Sequence, residues 1–403
     1  MWRKAFQQES EHQWIAISAF FVFVILGAIF IKGTSHLPGV DLTENELGTE
    51  HRIIESTYVD SNDYLVVSYN LGEYDLIRMS NGNAENIFHE GSDYDESRIT
   101  TLELTSNNSI LIANGINDVL LIQDFSASLF ETNHGNSEFA VLDIKQSRDA
   151  VQDYLMITYE DDTETSIRGL NSTGITSAKT PNNENVDWDK IEHISDDLWF
   201  LTGRYNQPAD TGDESPAAPN LRPVWSTVLW SGGTTAPMID KLHIGEYGEY
   251  HSIISLNREK IIIAGSHETL LFDHSTEKIV NIDYSSVAAV SDKCGSAWLF
   301  NGKGSKSVLR FTDSSWEVES LPHSMPLSVD SVGYDGATIY LHGTDDRGAS
   351  KVMTFDTTAI GSIESGSGFI NLSFIIISLI MFTLMAVNMF DKLKKSSSGK
   401  THS

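Results

Sequence analysis

The chain has 403 residues and a single cysteine, Cys294. No intramolecular disulfide is available to it, so the fold must be held by its core, and a chain of this length can bury enough apolar surface to do so. Many secreted eukaryotic domains are stapled by disulfides, so this absence points towards a prokaryotic cell envelope, archaeal or bacterial. Basic residues are also scarce. Twenty-seven Lys and Arg stand against 56 Asp and Glu, a formal net charge of −29. Such a surface repels phosphate backbones and argues against nucleic acid as a partner. It reads as a solvated acidic coat. The sharper alternative is divalent-cation binding. However, SDYDES (92–97), YEDDTE (159–164) and GTDDRG (343–348) lack the spacing of an EF-hand loop. The chain also has no G-x-S-x-G, no H-E-x-x-H and no Walker loop. No metal and no cofactor is expected.

Charge is missing altogether from two stretches, WIAISAFFVFVILGAIFI (14–31) and FINLSFIIISLIMFTLMAVNMF (369–390). Each approaches or exceeds the roughly twenty apolar residues that a helix needs to cross a bilayer. Arg3 and Lys4 precede the first; Lys392, Lys394, Lys395 and Lys400 follow the second. The positive-inside rule places both termini in the cytoplasm and 33–368 outside, with Lys32 the one dissenting charge. The first stretch is long for a signal-peptide core and no A-x-A site follows, so it reads as an uncleaved anchor. The lipid bilayer is the first partner expected.

Between the two stretches the sequence repeats. Short apolar runs end in Gly or Tyr: LVVSY at Tyr69, ILIANG at Gly115, LMITY at Tyr159, WFLTG at Gly203, IIIAG at Gly265, WLFNG at Gly302 and IYLHG at Gly343. Each recurs after some 37 to 46 residues, except for the interval of 62 between Gly203 and Gly265. A second run follows (YDLIRMS, DVLLIQD, ETLLFDH, SVLRFTD, KVMTFDT) and another precedes (RITTLELT, EFAVLDIK, EYHSIIS). A weaker fourth closes many units (NIFHE, SLFET, KIVNIDY, VESLP). Runs of four to eight residues rich in β-branched and aromatic side chains, parted by Gly, Asn, Asp and Ser, are strands and turns. Four strands in a 40-odd-residue unit are the mark of a β-propeller, in which each blade covers its neighbour's face. The Gly closing the second strand is expected to take a positive φ at the turn to the third.

IIIAGSHETLLFDHSTEKIVNI (261–282) resembles the second-to-fourth strands of WD40 and YVTN-type propeller repeats. The Gly-His and Trp-Asp dipeptides of true WD40 repeats and the double glycine of kelch repeats are missing, so the resemblance implies architecture and no activity. The fold expected is an all-β propeller of seven blades, or eight if the long interval hides a further hairpin, flanked by one transmembrane helix at each end. The parts read as a cytoplasmic tail (1–13), a span (14–31), a linker (32–38), the propeller (39–358), a Gly/Ser linker (359–368), a second span (369–390) and a basic tail (391–403). The last unit lacks a strong fourth strand. GVDLTENEL (39–47) can supply it, locking the two ends of the chain together and leaving both spans on one side of the ring.

The long interval contains NQPADTGDESPAAPNLRP (206–223), with four of the nine prolines, and its unit holds Trp188, Trp199, Trp225 and Trp230. This is the composition of an exposed loop that can carry recognition. Arg204, Tyr205, Pro216, Arg222, Trp225 and Trp230 are the candidate partner contacts. The alternative for the tryptophans is packing between blades. Glu160, His267, His342 and Asp345 sit near second-strand ends and are candidates for a central funnel, with a satisfied turn residue as the plainer reading. The function expected is a membrane-anchored, extracytoplasmic, non-enzymatic binding or scaffold module for envelope proteins or polymers. The alternative is an anchored enzyme, a glycan hydrolase or a quinoprotein-like dehydrogenase, with its site in the funnel.

Overall fold

The structure is a computed structural model. It describes residues 20–27, 36–87, 99–113, 119–123, 126–130, 139–150, 152–160, 164–171, 174–180, 185–207, 220–257, 259–292, 295–312, 315–359 and 372–383. The chain divides into two units, Val40–Thr357 and the paired ends Met1–Gly39 with Thr358–Ser403.

The larger unit is a seven-bladed β-propeller, with seven antiparallel sheets of four strands each. Six blades follow chain order (52–86, 101–130, 139–179, 186–244, 250–282 and 288–320). The first strand of every blade lies against that of the next, and blade 7's lies against blade 1's, which closes the ring. The repeated apolar-Gly runs are the second strands, as the repeat predicts. The interval of 62 holds no eighth blade. It is filled by the longest hairpin among the described residues, Leu198–Gln207 paired with Asn220–Leu229. In blade 1 the fourth strand is Asn83–Asn86, which ends on the first residue of the NIFHE run.

Blade 7 is made from both ends of the propeller unit. Ser328–Tyr334, Thr338–Thr344 and Ser350–Asp356 supply three strands, and Val40–Glu44 supplies the outer one, with Val40 opposite Phe355 and Glu44 opposite Lys351. The chain therefore enters and leaves the propeller at the same end of the same blade. The turns between second and third strands lie at the other end of the strands, which we call the distal face.

The repeated glycine has a different cause from the expected one. Gly203, Gly265 and Gly343 sit within strands and are not among the positive-φ residues. A Cβ on Gly203 would lie 2.2 Å from the Asp187 carbonyl oxygen, on Gly265 2.7 Å from that of Glu249, and on Gly343 2.2 Å from that of Ser328. In each blade the neighbouring first strand comes too close for any side chain. The reason is a β-bulge just beyond. The register slips between Trp188 and Lys190, Tyr250 and Ser252, and Val329 and Ser331. Blades 1 and 3 bulge at the matching place, between Ile53 and Glu55 and between Val141 and Asp143. A bulge adds one residue and re-aims those after it. Here it turns polar residues of the innermost strands to the axis.

The core lies between blades. Trp225 stacks on Phe200 at 5.3 Å and meets Phe272 at 5.5 Å between blades 4 and 5. Trp199 and Trp230 pack with Ile167 and Leu155 between blades 3 and 4. Trp230 lies against Gly169, where a Cβ would fall 2.3 Å from the indole. Each large side chain buried this way contributes about 1.5–3 kcal/mol. The closing seam is built differently, from polar and aromatic links. Tyr58 of blade 1 stacks between Tyr64 and Tyr340, at 4.7 and 4.4 Å. Its hydroxyl meets His342 Nε2 of blade 7 at 2.8 Å, and Arg52 holds Asp330 through two hydrogen bonds.

In the smaller unit, residues 20–27 and 372–383 are helical. Phe23 stacks on Phe374 at 5.2 Å, and Gly27 leaves room for the Phe374 ring. Phe21, Ile25, Ile375, Leu379 and Phe382 are exposed. Among the described residues no helix is long and apolar enough to cross a membrane. The rest of both expected spans (14–19, 28–31, 369–371 and 384–390) lies outside the described residues.

Candidate functional site

The seven innermost strands surround a central channel with a cavity of about 470 Å³. Charged side chains reach it from four blades: Glu55 from blade 1, Asp143 and Lys145 from blade 3, Lys190 and Glu192 from blade 4, and Asp330 from blade 7. Blades 5 and 6 supply an apolar wall that includes Ile253, Val287, Ala288 and Ala289. Most of the charges are already paired. Lys145 holds Glu103, Arg148 meets Glu192 at 2.6 Å, and Arg52 meets Asp330 at 2.5 Å. Buried Asp143 accepts the Ile191 N–H at 2.9 Å and so ties the inner strands of blades 3 and 4 together.

Burial pushes the Glu103 carboxyl up to about 7, against the pull of Lys145. Loss of hydration works against the Lys145 charge, but Glu103, Glu192 and Asp143 outweigh it and hold the ammonium well above its ordinary value. Burial also raises Glu55, tempered by Lys190 and Lys145. His251 Nε2–H donates to the Ser286 carbonyl at 3.1 Å, while Nδ1 meets Ser252 Oγ at 3.0 Å; burial lowers its pKa.

A second concavity of about 620 Å³ opens at the distal face, between the outer parts of blades 4 and 5. Arg222, His243, Glu246, His267, Glu268 and Asp283 line it. Arg222 Nε donates to the Gly245 carbonyl at 2.8 Å, and Tyr247 stands edge-on to His267 at 5.8 Å. Beside the groove rises the long hairpin. Its second strand runs four residues past Gly203, whereas that of blade 5 stops at Gly265 and that of blade 7 runs one past Gly343. At about 3.3 Å per residue the overhang is about 13 Å. Arg204 lies on it, exposed, with Asp189 at 3.3 Å and Glu249 at 3.9 Å.

Four sequence candidates therefore come together. Arg204, Tyr205 and Arg222 share the hairpin, with Tyr205 opposite Arg222, and His267 joins Arg222 in the groove. His267 belongs to this outer groove and not to the funnel. Trp225 and Trp230 are corrected: they are 2% and 3% exposed, taken up by packing between blades, and present no surface to a partner. Pro216 lies outside the described residues. His342 is not in the funnel either but is buried at the seam against Tyr58, with its Nδ1 unpartnered among the described residues. Asp345 organises its own turn, accepting the Arg347 and Ala349 N–H groups at 2.8 and 3.0 Å, which lowers its pKa. Glu160 ends its strand opposite Glu164, at the distal end of blade 3.

The channel residues went unnoticed because second-strand ends do not face the axis; first strands do. Those strands, RIIESTYVD, FAVLDIKQ and VDWDKIEHIS, mix charged and apolar residues throughout, so no single charge among Glu55, Lys145, Lys190 and Glu192 stands out in the sequence.

No protein-family model matches the chain, and no curated protein matches it. Solved structures do resemble it. A selenomethionine-substituted virginiamycin B lyase from Staphylococcus aureus aligns with a TM-score of 0.53 at 11% identity, covering 78% of this chain and 98% of that one. A Mycobacterium tuberculosis puromycin-hydrolyzing peptidase aligns with a TM-score of 0.55 at 10% identity, covering 81% of this chain and 55% of that one. The likeness is one of fold: a seven-bladed propeller, similar to the YVTN-like propeller of the lyase.

Proposed function

We propose that the protein is a non-enzymatic binding module, held at the outer side of a cytoplasmic membrane by its two apolar ends, which captures an envelope protein or polymer on its distal face. The observation that carries this reading is the overhanging hairpin beside the groove, with Arg204, Tyr205, Arg222 and His267 gathered at the end of the strands opposite the chain ends. A long element on a rigid ring is a usual carrier of recognition. The charge-free stretches 14–31 and 369–390 and the exposed apolar side chains of 20–27 and 372–383 support the anchor. Binding is favoured over catalysis because Lys145, Glu192 and Asp330 of the channel wall are already held in ion pairs.

Proximity labelling on intact cells, followed by purification from the membrane fraction, tests the proposal. The wild-type chain is expected to mark extracytoplasmic neighbours. An R204E/L221D variant, altered at two exposed hairpin positions, should lose them while keeping its circular dichroism. Identical neighbours for both proteins, or recovery of the chain away from membranes, would overturn it.

A further inference from the structure

The channel contains two charges that its pairing leaves over. Lys145, Glu192 and Asp330 have partners within 4 Å and Asp143 accepts backbone N–H groups. Among the described residues Glu55 and Lys190 have neither an ion pair nor a hydrogen bond, though both line the same 470 Å³ cavity. They come from blades 1 and 4, on different sides of the axis, and a bulge just before each delivers it to the cavity. They are more than 4 Å apart, yet near enough for Lys190 to oppose the rise that burial imposes on the Glu55 carboxyl.

An opposite-sign pair that lines one cavity without touching presents two separate unpaired charges to whatever enters it. A ligand that places a cation on the carboxylate and an anion on the ammonium would satisfy both. The apolar wall sets the rest of its chemistry. Val287, 45% exposed although it lines the cavity, and Ile253 offer surface to methylene groups.

We propose that the channel is a binding site for a small zwitterion, an amino acid-like molecule whose ammonium pairs with Glu55, whose carboxylate pairs with Lys190 and whose short apolar spacer lies along Ile253 and Val287. The site is separate from the distal groove: none of its lining residues is shared with it. The volume lies within the usual range for small-molecule pockets of about 300–1,000 Å³.

The test is a ruler of ω-amino acids applied to the full chain in detergent micelles: glycine, β-alanine, 4-aminobutanoate and 6-aminohexanoate, each titrated to about 10 mM while the melting temperature is followed. Butylamine and butanoate, carrying one charge each, are the controls. One spacer length is expected to raise the melting temperature saturably, with the controls at least about tenfold weaker. Glu55→Gln and Lys190→Gln should each weaken that response about tenfold or more and leave distal partner capture intact. If no member of the series shifts the melting temperature, if either control matches the best zwitterion, or if both variants respond like the wild type, the proposal is overturned. Because capture is scored separately, failure here is distinguishable from failure of the distal-face reading.

Discussion

Lowering the pH should loosen the closing seam of the ring through one residue. His342 is 3% exposed, and burial brings its pKa from 6.5 down to about 4. The sign follows from which state binds the proton. Below pH 6.5 the unfolded chain protonates this imidazole while the folded chain does not, so stability falls as pH falls and levels off below about 4. The interval from 6.5 to about 4, at 1.36 kcal/mol per pH unit, amounts to about 3 kcal/mol. Glu103 acts in the opposite direction. Its carboxyl, raised to about 7, makes stability fall as pH rises from 4.5 through 7. Total stability therefore cannot isolate His342, whereas a comparison with His342→Gln can. Glutamine does not titrate and retains a polar group for the Tyr58 hydroxyl. Urea unfolding at pH 7 and pH 4, read by the fluorescence of the buried Trp188, Trp199, Trp225 and Trp298, gives the two differences. From pH 7 to pH 4 the wild type should lose about 3 kcal/mol more than the variant. Parallel losses, within about 0.5 kcal/mol, would refute the argument that this imidazole is desolvated and neutral in the folded ring.

Two further substitutions test the backbone geometry. Gly265→Ala should destabilise the propeller by about 1–3 kcal/mol, because the new methyl meets the Glu249 and Glu268 carbonyl oxygens at 2.7 and 2.8 Å. Gly302→Ala, whose Cβ would meet Val287 Cγ1 at 3.5 Å, should be close to neutral in the same urea titration. Leu71 is 94% exposed with a φ of 51° in the turn between the second and third strands of blade 1. Leu71→Asn should raise the melting temperature by a few degrees, since asparagine tolerates that conformation and no packing is lost.

The central-channel and seam residues show where reading strands one at a time fails. His342 and Trp225 are strand residues whose neighbours belong to the adjacent blade, Tyr58 in one case and Phe272 in the other. Their spacing along the chain carries no trace of those neighbours. His267 and Asp345 occupy the same kind of turn, yet one lines a groove and the other caps its own loop. The glycines were legible as a repeat and misjudged as to cause, because a close approach between strands depends on a bulge in the partner strand.

The sequence by itself determined the repeat, the four-stranded unit, the closure of blade 7 by 39–47 and the unusual length of the blade 4 hairpin. These follow from local patterning: alternation, turn residues and the spacing of apolar runs act within a few residues of one another. Only the tertiary structure decided that there are seven blades, which tryptophans are buried, and which charges face the axis. Those depend on how neighbouring blades stack and where an extra residue bulges a first strand, and the stacking is set by contacts between segments some 48 residues apart, as Asp143 with Ile191, or 278 apart at the closing seam, as Arg52 with Asp330.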